Sequence, residues 1–151
     1  MVRQHLNARG VQFYCLLVFF FFSLVFSASA AEFILFHTSD VHGAINAHPD
    51  PVAKTDPRPL MGGYAVLQNL IDSYKSDPEN ADARIMYIDS GDFFQGTPIV
   101  DRTKGAVMID MLNRMRVAAV TIGNHEFDYS YPNLVEQMEK RDFPVVCCNV
   151  F

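Results

Sequence analysis

The sequence predicts an α/β fold on a parallel sheet, with elements in the order β-α-β-α-β-α-β. Three observations carry that reading. Past Ala31, four short apolar runs alternate with three stretches of helical periodicity. Helices placed between strands serve as crossovers, which favour parallel strands joined in the right-handed sense. Three of the four apolar runs also end in clusters of aspartate, histidine, asparagine, serine and glycine. Ligands of open α/β sheets sit beyond the carboxyl ends of their strands, so these clusters belong at one edge of the sheet.

The elements follow in order. Glu32 to Thr38 is a run of mostly apolar residues with two phenylalanines and reads as a buried strand. His48 to Pro59 holds four prolines, which argue for a surface loop without regular structure. Gly62-Gly63 opens a helix with Tyr64, Leu67, Leu70, Ile71 and Tyr74 along one face. Ser76 to Asp82 is polar and contains one proline, a turn. Arg84 to Asp89 is the second strand, and Ser90 to Pro98 a glycine-bearing loop. Gly105 to Met115 is helical, with Val107, Met108, Met111, Leu112 and Met115 facing the core. Ala118 to Ile122 is the third strand. Tyr131 to Arg141 is the third helix, entered through Pro132, and Val145 to Cys148 the fourth strand.

Residues 1–30 stand apart. Arg3 and Arg9 precede an almost wholly apolar stretch from Val11 to Phe26, and Ala28 and Ala30 offer small residues at cleavage spacing. That order is a secretory signal peptide. The alternative is a retained signal anchor, since the apolar stretch approaches the ~18–20 residues that span a bilayer. Residues 31–151 then form the folded part. Removing two basic residues and no acidic ones moves the formal charge from −5 to −7. So acidic a domain is a poor ligand for a nucleic-acid backbone, and no nucleic-acid partner is expected. The balance does suit a carboxylate cluster that needs cations. Of three cysteines, Cys15 lies in the leader. Cys147 and Cys148 are adjacent and too strained to pair with each other. They are expected to be buried thiols, or to have partners beyond Phe151.

The chemistry sits at the three strand ends. Asp40 and His42 are two apart, and on an extended segment both side chains point the same way. A carboxylate with an imidazole suits Zn, Fe or Mn. Asp92 follows Gly91, which permits a sharp turn, and its carboxylate could bridge two ions. The side-chain carbonyl of Asn124 is a neutral ligand. Two divalent ions ~3.5–4 Å apart can clamp a phosphate. His125 is the direct neighbour of Asn124 and is expected to face the substrate instead. A protonated imidazole there can stabilise charge or protonate a leaving oxygen. Asp128 would orient that imidazole and keep it charged. His37 and His48 read as packed or solvated histidines. Glu126 reads as a surface or capping acid. Tyr129 stands where a zincin helix would need its second histidine, so His125-Glu126 is not an H-E-x-x-H site.

The runs HTSDVHG (residues 37–43), DSGDFFQGTP (89–98) and TIGNHEFD (121–128) strongly resemble the 5′-nucleotidase family of calcineurin-like metallophosphoesterases. The similarity extends over nearly all of Phe33 to Phe151. It implies a four-layer α/β/β/α sandwich, of which this chain would supply part. It implies that Asp40, His42, Asp92 and Asn124 hold two divalent metal ions (Zn, Mn or similar), with Asp92 bridging. It implies that His125 and Asp128 are the catalytic pair. The implied activity is hydrolysis of nucleoside 5′-monophosphates, with UDP-sugars and cyclic nucleotides as alternative substrates. The implied location is secreted or at the cell surface. An uncleaved leader, or an anchor beyond Phe151, would attach the protein to a membrane. Two departures are small: Ala118 replaces a usual acid, and Ser130 a frequent glycine. The third is larger, because nothing matches the family's later histidine ligands, including a Gly-His-x-His motif. The chain is therefore expected to be the amino-terminal part of the metallophosphoesterase domain and to turn over AMP poorly or not at all by itself. A non-catalytic metal- or phosphate-binding remnant is the alternative.

Overall fold

The computed structural model describes residues 12–14 and 31–149. Residues 12–14 are helical; the rest of the expected leader lies outside the described residues. Among the described residues, no helix is long and apolar enough to cross a membrane.

In the unit from Glu32 to Phe151, the strands are β1 (Phe33–Thr38), β2 (His48–Pro49), β3 (Leu60–Met61), β4 (Arg84–Asp89) and β5 (Ala119–Val120). The helices are α1 (Tyr64–Ser76), α2 (Pro98–Thr103), α3 (Ala106–Met115) and α4 (Tyr131–Met138). The main sheet has the order β1-β4-β5, all parallel, with Phe33 opposite Arg84, Thr38 opposite Asp89 and Asp89 opposite Val120. This is the parallel α/β arrangement expected.

Each successive strand is added on the same side of the last. Right-handed crossovers then place every connecting helix on one face of the sheet. Burial agrees: Tyr87, Asp89 and Val120, which share the helix-covered face, are buried. Tyr87 and Val120 join the core formed by Ile71, Met108, Leu112, Met115, Leu134 and Phe143. A fully buried side chain of this size contributes ~1.5–3 kcal/mol. The inward methionine face predicted for residues 105–115 is present, with Met108, Leu112 and Met115 buried. The opposite sheet face carries Leu35 and Met86 in register, 53% and 38% exposed.

Several expectations are corrected. The proline-rich loop is not wholly irregular: its ends close in a two-residue antiparallel ladder between β2 and β3, with Asp50 N–H donating to the Pro59 carbonyl at 2.8 Å. The loop from Ser90 stops at Thr97, because Pro98 opens α2; proline with its preset φ is favoured at a first helical position. The fourth strand shrinks to a single bridge, Val145 beside Val120. Pro144 offers no N–H there, so only its carbonyl (3.1 Å from Val120 N) and Val146 N–H (2.8 Å to Val120 O) join the sheet. Cys148 is exposed and Cys147 half-buried, both as free thiols, so the buried-thiol expectation fails for Cys148. The last helix also ends three residues early, at Met138 rather than Arg141.

Candidate active site

Three loops leave the carboxyl ends of β1, β4 and β5 and lie against one another. The first, Ser39 to Gly43, is zipped to the second beyond the sheet: Asp40 N–H donates to the Gly91 carbonyl and His42 N–H to the Asp92 carbonyl, each at 3.0 Å. The second loop is rooted by Phe93 and Phe94, which have no exposed surface and pack edge to face with ring centroids 5.2 Å apart. The third loop contains a single 3-10 turn, His125–Phe127. The second and third loops touch so closely that a Cβ on Gly91 would stand 2.5 Å from Gly123 N. A Cβ on Gly123 would stand 2.2 Å from Asp92 Oδ1. Only glycine at both places lets these backbones approach.

Asp40, His42 and Asp92 have φ of 54°, 45° and 56°. Side chains other than glycine adopt that left-handed region at a cost of ~1–2 kcal/mol each. Three such residues on two hydrogen-bonded loops mark a place where the fold holds a strained arrangement. The strain also corrects the premise that Asp40 and His42 sit on an extended segment. Two left-handed residues end the alternation that would aim them alike.

The outcome is a group of three donors. One ligand atom from each of His42, Asp92 and His125 lies within 4.8 Å of the others, and all three residues are partly buried. The His42 and His125 rings stand edge to face with centroids 4.7 Å apart. Asp92 Oδ1 also accepts the His125 N–H at 2.9 Å, tying the second loop to the third. Asp40 is outside this group; its exposed carboxylate accepts a hydrogen bond from the Ser39 hydroxyl. Asn124 is exposed at the start of the 3-10 turn, where its backbone carbonyl accepts from Phe127 N–H at 3.2 Å. His125, expected to face the substrate, stands beside His42 and Asp92.

His125 Nδ1 is 2.7 Å from Asp128 Oδ2, the pairing expected from the three-residue spacing. The hydrogen bond to Asp128 raises the His125 pKa, against the opposing effect of desolvation. With Nδ1 engaged, Nε2 is the nitrogen left to act on another group. Beneath the loops, burial pushes the Asp89 carboxyl up, while the Thr38 hydroxyl and the Gly91 N–H (2.8 Å) work the other way. His37 pairs with the Ser90 hydroxyl at 2.6 Å, and His48 lies exposed in its loop.

Glu126 departs most from its sequence reading. It has no exposed surface, so it is not a surface acid. Its carboxylate accepts four backbone N–H bonds from the second and third loops. The sequence held one signal for this: an acid between two motif residues in a chain segment that had to turn tightly.

Two imidazoles and a carboxylate within 4.8 Å are a donor set that fits Zn, Mn or Fe. A histidine whose second nitrogen is held by a carboxylate is the usual outer-shell arrangement of a metal-site imidazole. The calcineurin-like phosphoesterase family pattern matches residues 34–151. The chain belongs to the calcineurin-like phosphoesterase family. Among its relatives, a human 5′-nucleotidase is 31% identical over 126 residues, covering 82% of this chain and 21% of that protein. A snake venom 5′-nucleotidase from Crotalus adamanteus is 28% identical, covering 88% and 22%. The solved structure of a 5′-nucleotidase precursor from Thermus thermophilus superposes with a TM-score of 0.66 at 29% identity, covering 76% of this chain and 22% of that one. The chain thus spans about a fifth of the length of the relatives it matches.

Proposed function

We propose that this chain carries the amino-terminal half-site of a metal-dependent phosphoric-ester hydrolase of the 5′-nucleotidase type, acting on nucleoside 5′-monophosphates or related nucleotides. The observation that supports this most is the convergence of His42, Asp92 and His125 beside the His125–Asp128 pair. In this reading Asp40, His42, Asp92 and Asn124 hold two divalent ions, Zn, Mn or similar. When bound, such ions supply Lewis acidity toward phosphoryl oxygens. Asp92, whose carboxylate already meets the third loop, would be one of the residues holding them. Asp128 holds the His125 imidazole by Nδ1 and favours its charged form. His125 then presents a proton at Nε2 to the leaving oxygen, or stabilises charge developing on the phosphoryl group. Substrates are nucleotides rather than nucleic acids. The apolar leader, and the venom origin of one relative, support secretion or display at the cell surface, with membrane attachment through an uncleaved leader or a further anchor.

The test is phosphate release from AMP, UDP-glucose and a cyclic nucleotide by the 151-residue chain with Mn²⁺ or Zn²⁺. Weak release from AMP is expected, lost with chelator and reduced about 10²–10⁴-fold by His125→Ala, the range for general acid–base catalysis. Release indifferent to chelator or to His125→Ala contradicts the proposal. A second reading, a metal- or phosphate-binding chain without turnover, draws on the gathering of three donors among the described residues. Divalent-ion binding with no release from any substrate would favour it.

A further inference from the structure

We infer that Glu126 is a positioning residue of the metal site: its buried carboxylate fixes the loops that carry Asp92 and His125 against each other. This rests on the proposed reading of Asp92, with Asp40, His42 and Asn124, as a divalent-ion site beside His125. Oε1 accepts from the N–H groups of Phe93 at 2.9 Å and Phe94 at 3.0 Å. Oε2 accepts from Asp92 N–H at 2.9 Å and Gly123 N–H at 2.7 Å. Three donors belong to the second loop and one to the third, so one carboxylate spans both.

A carboxylate has about four acceptor positions, and here backbone N–H groups take four. Glu126 therefore has no acceptor position left for a metal ion or a substrate. It acts through Asp92. The Asp92 N–H is held by Glu126, and the Asp92 Oδ1 in turn accepts the N–H of His125 at 2.9 Å, the residue just before Glu126. The circuit closes within two loops and sets Asp92 and His125 at once. Asp92 needs this support, because its left-handed backbone (φ 56°) persists only where its surroundings over-determine it.

The chemistry asks for glutamate in particular. Glutamine would set an NH₂ donor against two backbone N–H donors, whichever way the amide is turned. Aspartate keeps the charge but is one methylene too short to meet both loops fully. Neither change touches the donor atoms of the site.

The experiment is a Mn²⁺ titration of the 151-residue chain, following free Mn²⁺ by electron paramagnetic resonance. It is run on the unsubstituted chain, Asp92→Asn, Glu126→Gln and Glu126→Asp, each below its own unfolding midpoint as found by circular dichroism. Glu126→Gln is expected to bind Mn²⁺ roughly 10–100-fold more weakly, the range for loss of an outer-shell partner. Glu126→Asp is expected to recover part of that loss. A folded Glu126→Gln with unchanged Mn²⁺ affinity and only a lower midpoint overturns the inference, since the carboxylate then serves the fold alone. If Glu126→Gln does not fold, Glu126→Asp decides by the same reading. If neither folds, the inference is overturned for the same reason. An unsubstituted chain that binds no Mn²⁺, or binds equally well after Asp92→Asn, removes the metal-site reading and this inference together.

Discussion

Gly123→Ala should damage the site without replacing any of its functional groups. The added methyl would stand 2.2 Å from Asp92 Oδ1, 2.7 Å from Asp92 Cγ and 2.9 Å from Asp92 N. Carbon atoms pack best at ~3.5–4.0 Å, so the two loops must part by about 1 Å. Turning the carboxylate away does not suffice, because the backbone nitrogen is in the way too. Overpacking of this kind costs ~1–3 kcal/mol. Parting the loops also stretches two hydrogen bonds to carboxylates, His125 N–H to Asp92 and Gly123 N–H to Glu126. Each such bond contributes ~1.5–3 kcal/mol. Full loss of both with the worst clash would give an upper bound, and partial relaxation brings the total to about 2–5 kcal/mol. For a domain of this size each kcal/mol lowers the melting temperature by ~4 °C, so a fall of roughly 8–20 °C is expected. Thermal unfolding of the metal-free chain measures it, and a Mn²⁺ titration should show weaker binding in parallel. A melting temperature within ~2 °C of the unsubstituted chain, with unaltered Mn²⁺ affinity, would refute the close contact on which the geometry depends.

Two further outcomes follow from other parts of the molecule. In Asp128→Asn, the His125 imidazole pKa should fall toward the ordinary histidine value of ~6.5, read by NMR of the metal-free chain. Because Asp128 raises that pKa in the folded state, the stability it contributes is fully present below ~6.5 and lost as pH rises through the raised value. The stability gap between Asp128→Asn and the unsubstituted chain should therefore close with rising pH; a gap that widens would contradict the pairing. On the bare sheet face, Leu35→Ser with Met86→Ser should reduce self-association in light scattering while barely changing the unfolding midpoint, since both side chains are already 53% and 38% exposed.

The strands and helices that cross the core were legible because burial imposes a period. The alternation of apolar runs placed β1, β4 and α3 nearly to the residue, and the Gly62-Gly63 pair marked the start of α1. Val145 to Cys148 misled because an apolar run after proline looks like a strand, whereas only Val145 finds a partner. At the site, spacing was sufficient for His125 and Asp128, since one turn of chain fixes their approach. It was insufficient for Asp40 and His42, where alternation assumes an extended backbone and the chain adopts left-handed φ instead. It was least informative for Glu126. Three of its four partners are backbone N–H groups of a loop more than 30 residues earlier in the chain, which no local pattern reveals.

The proposed chemistry requires a divalent ion held by His42 and Asp92 beside His125. Anomalous diffraction at the zinc edge, on crystals of the chain grown with Zn²⁺, tests it most directly. A peak is predicted at coordination distance, about 2.0–2.2 Å, from His42 and Asp92. A strong peak held elsewhere on the chain, with these side chains unengaged, would contradict it.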